Sequence, residues 1–126
     1  MGTIAVGERN KMLDAWTGRA TYTANAGVFI KLHLGDPGAA GTSNAAAETT
    51  RQAATFGSAA ATGAISNTAA IEWTNVSTTE TYSHISCWTA SSGGTFLGSD
   101  DLSSTAAVTA GDTFRIPIGD LDITVT

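Results

Sequence analysis

Residues 81–98, TYSHISCWTASSGGTFLG, read as a β-hairpin near the middle of an all-β chain. Tyr82, Ile85, Cys87 and Trp88 are residue types that suit a pleated, half-buried surface. Phe96 and Leu97 resume the apolar pattern beyond a turn-forming segment, residues 89–94. Gly93 and Gly94 accept the positive φ that a tight strand reversal needs. Strands on either side of this hairpin can pair with it and close a sheet.

Working outward, residues 28–34 (VFIKLHL) place Val28, Ile30, Leu32 and Leu34 on one face and Phe29, Lys31 and His33 on the other. This period of two is the clearest strand signal in the chain. Asp36-Pro37-Gly38 ends it with a turn. Residues 39–50 (AAGTSNAAAETT) lack periodicity and large side chains, which predicts a long exposed loop, or an arm ordered by a partner. A short strand is expected at residues 51–56, a loop of small residues at 57–67, and a strand carrying Ala69, Ile71 and Trp73 toward Val76.

After the hairpin, Ser99-Asp100-Asp101 reads as a turn and residues 102–109 as a short, weak strand. Ala110-Gly111-Asp112 makes a further turn. Phe114, Ile116 and Ile118 mark one more strand, which Pro117 moves toward a sheet edge. Gly119-Asp120 turns the chain into a last strand on Leu121, Ile123 and Val125. About eight short strands with regular turn signals predict a two-layer antiparallel β-sandwich, jelly-roll-like. Phe29, Phe56, Trp73, Tyr82, Trp88, Phe96 and Phe114 are the expected core between its sheets.

The one helix is predicted at residues 7–16, where Met12, Leu13 and Trp16 share a stripe and Gly18 stands as a C-terminal stop. So short a helix must pack its Trp16 face on something, either the sheet or a neighbouring subunit. Residues 1–20 thus read as an N-terminal arm and helix, and 21–126 as the sandwich. Ile4, Val6, Met12, Leu13 and Trp16 offer more apolar surface than one short helix can hide. They are the expected assembly contact, together with the 39–50 loop.

With 126 residues the chain is long enough for one domain with a real core. Charged residues make up only 13 %, the net charge is −5, and the six Lys and Arg form no cluster. That distribution argues against nucleic-acid binding. A single cysteine, Cys87, excludes an internal disulfide, and its alternation with Ile85 predicts a buried, inert thiol. No apolar run approaches the ~18 residues of a membrane span. The opening MGTIAVGERNK lacks the pattern of a signal peptide, and Val6 stands where a myristoylation motif needs Ser or Thr. Synthesis in a reducing cytoplasm, without membrane targeting, is expected.

Chemistry-bearing patterns are sparse. His33 and His84 lie in strands among residues that are not metal ligands, whereas a metal site needs several convergent donors. Asp100, Asp101, Asp112, Asp120 and Asp122 lack the spacing of a calcium loop and suit turns and strand edges. No nucleophile elbow or phosphate loop occurs. Glu72 and Glu80 match a glycosidase pair by residue type alone. No catalytic residue, cofactor or metal is therefore assigned.

The order of these landmarks resembles a family of small bacteriophage virion proteins usually labelled tail fibre or minor tail proteins. The matching segments are Met12-Leu13-Asp14, LHLGDPGAAGTS, TTRQAATFG, TYSHISCWTASSGGTFLG and AGDTFRIPIGDLDITVT. The LH-x-x-DPG turn and the W-x-A…GGTFLG hairpin are the most specific of them. The resemblance implies a non-enzymatic structural protein of the virion, assembled in the host cytoplasm. A tail-associated, host-contacting role is the first reading, and a capsid decoration protein stabilising the head lattice is the alternative. Implied partners are other copies of the chain, other virion proteins, and a host surface glycan or receptor. No heptad shaft or shaft-like repeat is present, so the chain suits a knob or collar rather than a long fibre.

Overall fold

Strand formation follows the period-two runs, with pairing partners deciding where each run ends. The computed structural model describes residues 3–58 and 63–124. Their elements in chain order are β1 (Thr3–Ile4), α1 (Val6–Trp16), β2 (Val28–His33), β3 (Gln52–Ala54), β4 (Ala64–Ser66) and β5 (Ile71–Trp73). The central pair β6 (Glu80–Trp88) and β7 (Phe96–Val108) follows, then β8 (Phe114–Ile116) and β9 (Asp122–Thr124). The expected run of the last strand into Val125 lies outside the described residues.

The protein is an antiparallel β-sandwich with one short helix. One layer is a five-stranded sheet ordered β1-β7-β6-β2-β3. The facing layer consists of two short ribbons, β4-β9 and β5-β8. Register places Ile30 opposite Cys87 and Leu32 opposite Ile85, so these four side chains share one face. They meet Ile71, Trp73 and Ile116 from the ribbons, and Val76 and Leu121 from the segments beside them, in a single apolar core. Trp73 packs tilted and Tyr82 edge-on against Phe114, with ring centroids 5.7 and 5.2 Å away.

Several sequence expectations are corrected by pairing. Ser99-Asp100-Asp101 is strand, not turn, because β6 supplies partners along its whole length: Ser86 faces Ser99, Ile85 faces Asp100 and His84 faces Asp101. Between Asp101 and Ala106 the ladder bulges, one β6 residue standing opposite four of β7. The small-residue stretch 57–67 contains β4, which exists because β9 pairs with it through Ile65 and Ile123. Asn67 ties that region together. Its amide donates to the Ala69 and Pro117 carbonyls at 2.8 and 3.0 Å and accepts from the Leu121 N–H at 3.0 Å. Ile118 leaves the apolar face at the end of β8 and is exposed.

The aromatic residues divide between two faces rather than filling one core. Phe29 pairs with Trp88, and Trp88 with Phe96, on the face of the main sheet opposite Ile30 and Cys87. Trp88 and Phe96 stack there at 5.5 Å. The 39–50 segment is anchored within the chain instead of standing free. Leu34 N–H donates to Asn44 O and Ala46 N–H to Leu32 O, so the segment returns alongside β2. Glu80 accepts from the Ala47 and Glu48 N–H groups, and buried Glu48 from those of Thr50 and Ser77. Gly41 sits at φ 73°, and a Cβ there would fall 2.4 Å from the Phe96 ring. Only glycine allows the loop so close to that ring.

Candidate functional site

The helix α1 is held by polar anchors at its start and is largely unburied at its end. Ala5, its N-cap, has no capping side chain, but its own N–H donates to Leu97 O at 2.8 Å. In the first turn the Glu8 carboxylate is buried and accepts from Lys11 Nζ at 2.7 Å and Tyr22 Oη at 2.5 Å. Burial opposes ionisation of Glu8, but these two donors outweigh it and hold its pKa below the usual carboxylate range. Tyr22 is raised in turn, chiefly because its proton is shared with Glu8. A carboxylate in the first turn also complements the helix dipole.

Glu8, Met12 and Trp16 follow one another at intervals of four along one stripe. Their exposures are 3 %, 36 % and 85 %. Val6 and Leu13 are also more than half exposed. The stripe therefore peels away from the sandwich toward the C-terminal end of α1. Among the described residues the sheet therefore does not bury Trp16, one of the two packing partners that the sequence offers for it.

Beneath the helix lies an apolar cleft of about 170 Å³. Ile4 and Met12 line it from the N-terminal segment, Val28 and Cys87 from the main sheet, Leu97 from β7 and Ile123 from β9. The Cys87 thiol is pushed up to about 12, mainly by burial and then by the nearby Asp100 charge, which makes it unreactive. Of the five residues that the sequence singles out, Ile4 and Met12 border this cleft. Val6, Leu13 and Trp16 are exposed on α1.

The residues considered for chemistry have structural partners. His33 is fully buried and joins the 39–50 segment to the sheet. Its Nδ1 lies 2.8 Å from Ser43 O, and its Nε2 2.7 Å from Ser86 Oγ. A carbonyl can only accept, so Nδ1 carries the proton and Ser86 donates to Nε2. Trp88 Nε1–H donates to the same Ser86 oxygen at 2.7 Å. Glu72 forms an exposed ion pair with Arg115 at 3.7 Å, while Glu80 holds loop N–H groups, so the two do not face a common cleft. Arg51 lies over the Trp88 ring at 4.3 Å and donates to the Ala90 and Gly93 carbonyls, pinning the hairpin turn. Among the described residues no group of three or more His, Cys, Asp or Glu side chains could hold a metal ion. None of their helices is long and apolar enough to cross a membrane.

Sequence reasoning missed the Glu8–Tyr22 anchor. A carboxylate in the first helical turn was legible, but its partner lies 14 residues away in a connector without periodicity. It also missed the His33–Ser86–Trp88 chain, because two of its members are on neighbouring strands that only the register brings together.

The described residues form a small antiparallel β-sandwich with one short helix whose apolar face is largely exposed. The chain belongs to the bacteriophage family described as Podophage GP4 fiber I protein gp80, whose family model matches residues 5–124. That is a phage tail fibre family, and it makes the protein a component of the virion. No curated protein matches the chain.

Proposed function

We propose that this is a non-enzymatic, tail-associated structural protein, fixed to the particle through its N-terminal arm and helix, residues 1–20, with the sandwich, 21–126, as the presented body. The observation that carries the reading is the apolar face of α1, with Val6, Leu13 and Trp16 exposed on an otherwise anchored helix. Isolated exposed apolar residues are ordinary, but several on one helix face mark an interaction surface. Burying each of them contributes about 1.5–3 kcal/mol, and repetition over an assembly multiplies the effect. The distribution of carboxylates and histidines supports the non-enzymatic reading, since each candidate serves an internal bond or a surface ion pair.

The test is incorporation into virions of a Val6→Ser, Leu13→Ser, Trp16→Ser triple variant, beside a deletion of residues 1–16. The triple variant keeps the Glu8 anchor and β1, both of which the deletion removes, so its fold is expected to survive. Loss of incorporation by the folded triple variant is the expected result. Normal incorporation would place attachment elsewhere on the sandwich. Cryo-EM of wild-type particles distinguishes tail from capsid: density for the protein on the head lattice would replace this reading with the capsid decoration alternative.

A further inference from the structure

We infer that Glu48 and Glu80 bind a calcium ion at the end of the core, with the Tyr82 hydroxyl as a neutral oxygen donor. The site belongs to the sandwich and is independent of α1. Three observations carry it.

The first is uncompensated charge. Glu48 is buried and Glu80 half-buried. The ion pairs of the described residues join Glu8 to Lys11, Asp14 to Arg19 and Glu72 to Arg115, and none of them reaches either carboxylate. Backbone N–H groups are their partners instead. Ala47 and Glu48 donate to Glu80 at 2.8 and 3.3 Å, and Ser77 and Thr50 donate to Glu48 at 3.0 and 3.3 Å. Each carboxylate oxygen thus accepts one N–H and keeps lone-pair capacity for a further partner. These donors orient the two acids without supplying a positive charge, and buried charges are paired or coordinate metals.

The second is the phenol. Tyr82 is fully buried, and its Oη has no hydrogen-bond partner among the described residues. Glu80 stands opposite Val108 and Tyr82 opposite Ala106 in unbroken register. Two residues apart on β6, their side chains leave the same face of the strand. The charges of both Glu80 and Glu48 act on the phenol. A buried hydroxyl without a partner costs stability, and an ion held beside it by two carboxylates removes that cost.

The third is the donor chemistry. Two carboxylates and a hydroxyl form an all-oxygen set, which suits a hard cation rather than zinc or copper. Calcium accepts such ligands in irregular geometry and completes its shell with water, whereas magnesium demands a near-ideal octahedron. Half-buried Glu80 leaves the site an approach from solvent. With only two carboxylates, the affinity expected is that of a weak extracellular calcium module, a Kd of ~10⁻⁴–10⁻³ M. Occupation would clamp the returning 39–50 segment, which carries Glu48, onto β6.

The experiment titrates the full, chelator-treated chain with calcium chloride and follows the melting temperature, with magnesium and sodium chloride at matched ionic strength as comparisons. At tenfold excess over its Kd, calcium should raise Tm by about 5 °C, and the other two salts by much less. Terbium is the direct probe. Its emission should be sensitised by Trp73, whose Nε1–H donates to Thr50 O at 2.8 Å, two residues from Glu48, and calcium should displace it. Glu48→Gln, Glu80→Gln and Tyr82→Phe are each expected to weaken binding by about 10-fold or more. Tyr82→Phe is the deciding variant, because it keeps the N–H anchors of both carboxylates and should be as stable as the wild type in chelator. Absence of a calcium-dependent shift and of terbium emission would overturn the site. So would a calcium effect that survives all three substitutions, and an equal shift with magnesium would overturn the choice of ion.

Discussion

The two faces of the five-stranded sheet bury comparable side chains by different means. On the core face, Ile30, Leu32, Ile85 and Cys87 meet the ribbons through apolar contact alone. Tyr82 Oη, buried there, has no hydrogen-bond partner among the described residues. On the opposite face, the buried atoms are chained: Trp88 donates to Ser86, Ser86 to His33, and His33 to Ser43 of the returning loop. Packing is non-directional and tolerates small adjustments. A hydrogen-bonded chain specifies one loop position, and it fails at any broken link. The core face holds the sandwich together, and the other face sets where the loop lies.

Deleting one hydroxyl from each face should sharpen this contrast. Ser86→Ala removes the link that Trp88 Nε1–H and His33 Nε2 share, leaving two buried polar groups unsatisfied. The expected loss is about 2–6 kcal/mol, from ~1–3 per abandoned group, read by chemical denaturation. A loss below about 1 kcal/mol would show that the chain contributes little.

Tyr82→Phe should act in the opposite direction. Its phenol is buried and its pKa is pushed up to about 12, first by burial and then by the Glu80 and Glu48 charges. Because the hydroxyl has no partner among the described residues, its removal should be neutral or stabilising by up to ~1 kcal/mol. Clear destabilisation would mean that the hydroxyl has a partner on the core face after all.

The smallest effect is a pH dependence confined to the polar face. Burial lowers the His33 pKa, Lys31 and His84 lower it further, and the Ser43 carbonyl opposes them. The folded state therefore binds this proton less readily than the unfolded chain, whose histidine titrates near pH 6.5. Stability from His33 is fully present above about pH 6.5 and is lost as pH falls from there through the lowered folded value. Protonation would also put a second N–H where Ser86 O–H points. Melting temperatures of wild type and His33→Gln across that window should differ in slope, the wild type falling faster on acidification. Parallel curves would remove His33 as the titrating link.

These faces were not equally legible. The core face could be read from the alternation of Val28, Ile30 and Leu32 and of Ile71 and Trp73, because burial on one side of a strand imposes a period of two. Trp88 and Phe96 were just as plainly strand residues, but which side of the sheet they occupied depended on register, since a one-residue slip exchanges the faces. Asp100 and Asp101 looked like turn residues by composition, and pairing with β6 keeps them extended. For the proposed assembly surface, the sequence named the apolar residues of α1, while the graded exposure from Glu8 to Trp16 emerged only from the fold.

The sequence by itself determined the strand-rich class, the helix at the N-terminus, the Asp36-Pro37-Gly38 turn and the scarcity of cationic residues, because each depends on residue type and spacing over a few positions. Tertiary structure decided what needs partners from afar. It placed β4 against β9, locked the 39–50 loop onto Glu80 and His33, and joined Tyr22 to Glu8. It left Trp16 uncovered beside an apolar cleft. Those outcomes are set by contacts between residues 10 to 60 positions apart, and local propensity carries no information at that range.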